Sequence, residues 1–256
     1  VGTEDAAKKA LGVEDTDTDT TVTVVIQPYL DIKINAFEDN TVKLEIEPKY
    51  NVVATTATGD EEIKTEDGEG KNAVVLKEAQ ELEINAPIEI TIALPEGFAE
   101  ADSTIYIHHT KDSGTTYVYD ATVSGDGKTA TFTNPNGFSK FEAKKDDNGT
   151  AKIDETVYAT LADAVANVED GETIVLLNDV DADEVVTVTE LIKFSIDTDG
   201  NGFDADDNIK AGDKRKVTYT KTGTVYTFTV KKKPTTPTTN NGGSSLNDNS
   251  GIREDN

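Results

Sequence analysis

Hydrophobic and polar residues alternate along most of the chain between residues 20 and 143. In the segment 29–37, Leu30 and Ile32 fall on one face of an extended chain, and Asp31 and Lys33 fall on the other. A period of two is typical of a strand that buries one face. The same pattern predicts strands at 21–27, 29–37, 41–48, 72–78, 88–95, 103–110, 115–123, 128–134 and 137–143. Glycine-containing turns separate the later strands, which favours antiparallel pairing.

From residue 151 the pattern becomes a mixture of strand and helix. Leu161, Ala164 and Val168 recur at helical spacing, Thr160 suits the N-cap, and Gly171 suits the stop. Strands are predicted on either side of this short helix, at 151–153, 156–158, 173–177, 184–189, 191–196, 216–220 and 225–230. We therefore predict a small α+β module with one short helix.

Composition divides the chain into four segments. Residues 1–19 are predicted to be an acidic linker, in which 4–11 suits a short helix that ends at Gly12. Residues 20–146 are predicted to form an antiparallel β-sandwich, Ig-like in the broad sense, and 147–232 the α+β module. Residues 233–256 are rich in Thr, Pro, Gly and Ser, and we expect a disordered tether because they bury little apolar surface. The fold class is therefore mainly β.

Charge narrows the set of partners. The chain has 50 Asp and Glu against 24 Lys and Arg, a formal net charge of -26. Nucleic acid and anionic membrane surfaces repel such a molecule at long range, so neither is expected as a partner. Direct membrane insertion is not expected either, because no apolar run approaches the ~20 residues that span a bilayer.

Cysteine and methionine are both absent. Without Cys the chain has no disulfide, no thiolate metal site and no Cys nucleophile. Without Met, even at position 1, we expect a processed product or a part of a longer chain. No phosphate-binding loop, nucleophile elbow or HExxH helix is present, and the abundance of carboxylates makes any single pair uninformative. We therefore predict that the chain is not an enzyme.

One stretch carries a family resemblance. Residues 158–165 (YATLADAV) and 169–180 (EDGETIVLLNDV) resemble a module that recurs in large surface proteins of gut Firmicutes, where it often opens a right-handed β-helix of the pectin-lyase-like type. Residues 192–203 look like the next coil of that family. Because the helix–strand unit occurs once, the resemblance implies a half-coil domain. The accompanying β-sandwich modules of such proteins are similar to residues 88–98, 104–123 and 129–141.

The sharpest candidate for a ligand site is an acidic loop at 197–208. Asp197, Asp199, Asn201 and Gly202 match the first, third, fifth and sixth positions of a calcium-binding loop. The twelfth position is Asn208, which cannot supply a bidentate carboxylate; Asp204 and the acidic residues after it lie near enough to substitute. The alternative is a solvated acidic turn. No cofactor other than this calcium ion is expected.

Aromatic side chains offer a second candidate. Tyr117 and Tyr119 share one face of a predicted hairpin, where they would provide a stacking surface for sugars. The alternative is cross-strand aromatic packing, which is common in sheets. His108 and His109 are the only histidines, and adjacent strand residues point to opposite faces, so we expect structural roles for both.

Two hypotheses for function follow. The first is a non-enzymatic segment of a bacterial surface protein, located at the cell surface or cell wall, that acts as a stalk or spacer or as an adhesin-type binding module. Its partner would be a glycan or protein on a host or bacterial surface. The second is a carbohydrate-binding accessory module of a secreted carbohydrate-active enzyme. A polysaccharide lyase is a remote third reading, because it needs stacked coils with a basic catalytic residue beside calcium.

Overall fold

A computed structural model describes residues 4–13, 20–38, 40–66 and 71–234 of the chain. The predicted tether lies outside the described residues from position 235 onward, and so does the DTDTD run at 15–19. Within the described residues the protein is mainly β, with three short helices and sixteen strands. This confirms the predicted fold class. No helix among them is both long and apolar enough to cross a bilayer.

The first module is an antiparallel β-sandwich. Its sheet runs in the order β1-β2-β8-β5-β6; β3 also pairs with β2, β7 pairs with β6, and β4 pairs with β7. Alternate residues of β2, β5 and β8 face those of β4 and β7 across a core that contains Phe132 and Phe141. The strands are β1 (Thr23–Glu38), β2 (Thr41–Thr55), β3 (Ala73–Glu81), β4 (Ile88–Ala93), β5 (Thr104–Thr110), β6 (Thr116–Val123), β7 (Thr129–Asn134) and β8 (Lys140–Lys144).

The first hairpin is longer than the pattern predicts. The segments 21–27 and 29–37 form a single strand, β1, that passes through Pro28 without interruption. Proline lacks an N–H group and is excluded from central strands, but an edge strand tolerates it. In the described residues β1 pairs only with β2, which explains the continuity. A helix, α1 (Glu4–Leu11), ends at Gly12 as predicted and buries Ala7 against β2 and β3.

The second module winds through rather more than one coil. Its elements are β9 (Ala151–Ile153), β10 (Thr156–Tyr158), α2 (Leu161–Asn167), β11 (Thr173–Leu176), β12 (Val186–Val188), β13 (Lys193–Asp197), α3 (Ala205–Asn208), β14 (Ile209–Ala211), β15 (Arg215–Thr222) and β16 (Val225–Lys232). Strand β11 pairs in parallel with β13, and β12 pairs in parallel with β14. Thr173 lies opposite Ser195, 22 positions later, and Val186 lies opposite Ile209, 23 positions later. Because both pairs join residues that are 22 or 23 positions apart, the backbone forms a coil of about that length, and the next coil stacks on it.

Helix α2 begins as the sequence predicts and ends differently. Thr160 caps it, because its hydroxyl oxygen accepts a hydrogen bond from the Asp163 amide at 3.0 Å. The helix stops at Val168, whose backbone is extended. Gly171 has a φ of 92°, but it shapes the turn into β11 and does not cap the helix. The sequence pattern predicts neither helix α3, which lies within the acidic segment 197–208, nor strand β14, which directly follows it.

The two modules have separate cores but share one sheet. One buried cluster lies between residues 42 and 143, and the other between 151 and 230. Strand β10 of the second module pairs antiparallel with β6 of the first, so the ladder continues through β9, β11, β13, β16 and β15. The pairing of β6 with β10 therefore fixes the position of the second module relative to the first. The boundary at 146–150 stays a prediction. Limited proteolysis tests it, since we expect cleavage there or in the two terminal segments, with both modules left intact.

Candidate functional site

The predicted calcium ligands at the start of the acidic loop stabilise the local chain. The Asp197 carboxylate accepts a hydrogen bond from the Asp199 amide at 3.1 Å, which closes a turn around Asp199 with its φ of 48°. The Asn201 side-chain amide donates to the Leu176 carbonyl oxygen at 3.0 Å. Leu176 belongs to β11, in the preceding coil, so this hydrogen bond of Asn201 connects two successive coils.

The remaining predicted ligand is a helix cap. The Asp204 carboxylate accepts from the amides of Asp206 and Asp207 at 2.9 and 3.2 Å, at the N-terminus of α3. At the end of that helix the buried Asn208 amide donates to two carbonyl oxygens, at positions 181 and 184. Across the described ranges, no group of three or more Asp, Glu or His side chains is placed to hold a metal ion. The structure therefore assigns these residues turn and cap roles, and calcium binding stays a prediction.

The predicted sugar-binding tyrosines pack against other aromatic side chains. The ring centroid of Tyr117 is 5.4 Å from that of Tyr158. Tyr119 stacks on Phe132 at 6.2 Å, with 9° between the ring planes. Both tyrosines are half-buried, and burial raises the pKa of the Tyr119 hydroxyl. This arrangement matches cross-strand packing, and sugar binding by Tyr117 and Tyr119 stays a prediction.

His109 lies at the centre of a buried chain of hydrogen bonds. Its side chain is fully buried and stacks on Phe141 with ring centroids 4.2 Å apart. Its Nδ1 is 3.1 Å from the Tyr119 hydroxyl, and its Nε2 is 2.8 Å from Ser139 Oγ. The Asn136 amide donates to Tyr119 at 3.0 Å at one end of the chain. At the other end Ser139 donates to the carbonyl oxygen of residue 110 at 2.8 Å.

The groups at the two ends of this hydrogen-bond chain determine which atom donates in each bond between them. A carbonyl oxygen only accepts, so the Ser139 hydroxyl proton points to it and Ser139 Oγ must accept from His109 Nε2. Nδ1 then carries no proton and accepts from Tyr119. A Ser–His pair at 2.8 Å has the spacing of a nucleophile and its base. In this tautomer, however, Nε2 already holds a proton and cannot take one from Ser139, so the pair is structural.

The electrostatics of the two histidines agree with neutral, structural roles. Burial, with a smaller contribution from Lys111, lowers the pKa of His109 to about 4. Burial also lowers the pKa of His108, whose Nε2 is 2.8 Å from the carbonyl oxygen of Asp147. The same nitrogen is 3.5 Å from the Asp147 carboxylate, but a neutral ring makes no ion pair there. His108 therefore fixes the backbone at the start of the module boundary.

The two modules meet where β10 pairs with β6. Val157 and Tyr158 of β10 lie opposite Val118 and Tyr117 of β6. The ladder continues past the strand, because the amide of residue 159 donates to the carbonyl of residue 116 at 3.0 Å. The Tyr117 and Tyr158 rings pack at this point. Backbone pairing and aromatic packing thus act together at one place.

Gly149 makes this close approach feasible. It is buried with a φ of 80°, and a Cβ built on it would lie 2.6 Å from the carbonyl oxygen of Tyr158 and 2.8 Å from Val157. No other residue type fits that space. The Asn178 side-chain amide donates to the Gly149 carbonyl oxygen at 2.6 Å and to Asn148 at 2.7 Å. The sequence marks 146–150 only as a boundary, since the contacts that lock it come from distant residues.

Comparison with models of known protein families, with curated proteins and with solved structures gives no match for this chain.

Proposed function

We propose that this chain is a non-enzymatic extracellular segment of a bacterial surface protein, and that it acts as a rigid spacer. The observation that carries the proposal is the continuous ladder from β6 into β10, which joins two separate cores. Modules joined by a flexible linker sample many orientations. A shared sheet with a buried glycine at the joint restricts them to one, which is what a spacer requires.

Several features of the described residues favour this role over catalysis. The one Ser–His pair among them has the wrong tautomer for proton transfer. The packing of Tyr117 and Tyr119 likewise favours the spacer over a carbohydrate-binding accessory module.

The location is part of the proposal and rests on the resemblance of residues 158–180 to surface proteins of gut Firmicutes. The parallel pairs β11–β13 and β12–β14 support that resemblance, because a β-helix is built from parallel strands in successive coils. An antibody against the chain should label intact cells of the bacterium that encodes it. Labelling that requires permeabilised cells would contradict a surface location.

Rigidity can be measured directly, because the chain has no cysteine of its own. Cysteines introduced at the exposed positions Thr133 and Thr187 place one spin label on each module. We expect one narrow distance distribution by pulsed electron spin resonance. Gly149→Ala should broaden this distribution, because its Cβ would displace Tyr158 and Val157 of β10 and would lie 3.2 Å from Val118 of β6. Gly223→Ala, at an open turn where a Cβ meets nothing within 4 Å, is the matched control. A broad distribution in the unaltered chain would overturn the spacer role.

A further inference from the structure

The last hairpin carries a ladder of opposed positive charges. Arg215 lies opposite Lys232, and Lys216 lies opposite Lys231. One position further, the Lys233 amide donates to the carbonyl oxygen of Lys214 at 2.8 Å, so these two lysines also face each other. We call these six residues the basic ladder. They are a quarter of the 24 Lys and Arg in a chain with a formal net charge of -26.

This arrangement works against the stability of the hairpin. Like charges directly opposite each other in an antiparallel pair are destabilising, and here three such pairs follow one another. Ion pairs elsewhere in the described residues include those of Lys33, Lys43, Lys49, Lys144 and Lys210. No described carboxylate forms an ion pair with the basic ladder. The chain has 50 Asp and Glu residues, yet none of the described ones neutralises these charges. The counter-charge therefore has to come from an anion outside the chain.

The geometry of the basic ladder concentrates its positive charge in a short stretch of the ribbon. Side chains alternate along a strand, so Arg215 and Lys232 occupy one face of the ribbon and Lys216 and Lys231 the other. An open groove of about 380 Å³ is lined by Lys214, Arg215, Lys232, Lys233 and Pro234. With a rise of about 3.4 Å per residue, three successive positions span only about 7 Å along the ribbon. The anion must therefore be charge-dense.

Arg215 indicates phosphate as the anionic group. Its Nε donates to the Thr189 carbonyl oxygen at 2.7 Å, which holds the guanidinium in one orientation while the five lysines around it stay exposed or partly so. An oriented guanidinium donates through its remaining nitrogens to a phosphate, and lysines add point charges around it. Phosphate carries more charge and more acceptor oxygens per group than a carboxylate.

We propose that the basic ladder binds a flexible, phosphate-bearing polymer. A flat anionic membrane or a nucleic acid duplex is a poorer fit, because it would bring the acidic remainder of the protein against a second anionic surface. A single flexible chain contacts the ladder alone. This inference goes beyond the spacer role and does not depend on it.

Linear inorganic polyphosphate is a suitable probe for the full chain in isothermal titration calorimetry. We expect a Kd on the order of 10⁻⁵ M at low salt, weakening as salt rises. The variant Lys214→Gln/Lys232→Gln/Lys233→Gln removes the three lysines that line the groove. It should bind at least about tenfold more weakly, and its log–log salt slope should fall by about 2, at about 0.7 per lost phosphate contact. The variant keeps Arg215 and its structural hydrogen bond.

A matched control removes the same charge elsewhere. Lys64, Lys77 and Lys128 are exposed residues of the first module, and their replacement by Gln should leave binding unchanged. Thermal melting of both variants checks folding, and the ladder variant should melt no lower than the unaltered chain. Equal binding by the ladder variant and the unaltered chain, or no binding at all at low salt, would overturn the proposal. Tighter binding to anionic vesicles or to duplex DNA than to polyphosphate would overturn the choice of a flexible polymer.

Discussion

Protonation of His109 should destabilise the first module. The imidazole is fully buried, stacks on Phe141 and bonds through both nitrogens. A second proton on the ring would sit on Nδ1, which accepts from the Tyr119 hydroxyl. That hydroxyl would have to turn away, and the cation would lie in an apolar core. The structure therefore resists protonation until the pH is far below the ordinary pKa of histidine.

The loss of unfolding free energy at low pH follows from the pKa of His109, which burial lowers from 6.5 to about 4. A pKa that is lower in the folded state means that the unfolded chain binds the proton first as the pH falls. The stabilising contribution is complete above about pH 6.5 and is lost progressively down to about pH 4. A difference of about 2.5 between the two pKa values corresponds to about 3 kcal/mol. That is a large part of the free energy of unfolding of a typical domain.

Nuclear magnetic resonance can test this on the unaltered chain, since it has only two histidines. The variant His108→Gln assigns the two ring signals. We expect the His109 signal to titrate near pH 4, with nitrogen shifts that show a proton on Nε2 at neutral pH. Urea unfolding at pH 7 and pH 4.5 then gives the energy, and His109→Gln should remove about 2.5 kcal/mol of the pH dependence. A His109 midpoint between pH 6 and 7, or a proton on Nδ1, would refute the reasoning.

Four further predictions concern the joint, the acidic loop and the tyrosines. Gly149→Ala should cost about 3 kcal/mol or more in urea unfolding because its Cβ meets backbone at 2.6 Å, whereas Gly223→Ala should cost only about 1 kcal/mol. Asp204→Ala should lose a helix cap worth about 1 kcal/mol, measured by thermal melting. If the acidic loop binds calcium, chelator should lower the melting temperature and Asp199→Ala should abolish that drop; an unchanged melting temperature would refute calcium binding. Tyr119→Phe should cost about 1–3 kcal/mol by leaving His109 Nδ1 and the half-buried Asn136 amide without this partner, and glycan-array signals should not change.

The strands could be predicted from the sequence because their signal is local. Alternation along 41–48 or 88–95 requires only that one face is buried, and that condition holds wherever the strand pairs. Pro28 shows where local reasoning fails. A proline within an alternating run indicates an interruption unless the strand has a free edge, and whether it has one depends on which strands pair with it. The unbroken β1 is thus a consequence of topology.

The sites are harder to predict because their partners are distant in sequence. His109 meets Ser139 and Tyr119 through pairing of β5 with β8 and β6, and no spacing rule brings those three together. The acidic loop matched a ligand pattern, yet the same carboxylates and amides also suit turns and caps, and the folded chain uses them so. The basic ladder required the register of β15 against β16, since its cations are two separate runs in the sequence.

The joint between the modules explains why a chain with two cores can behave as one body. Separating β10 from β6 would break the ladder at Val157 and Tyr158 and expose the packed faces of Tyr117 and Tyr158 to water. A backbone hydrogen bond contributes about 1 kcal/mol and a packed aromatic pair about 1 kcal/mol more, so even a few such contacts exceed the thermal energy of about 0.6 kcal/mol several-fold. For the proposed spacer we therefore expect bending at this point to be rare, and a load applied to one module to reach the other through backbone hydrogen bonds.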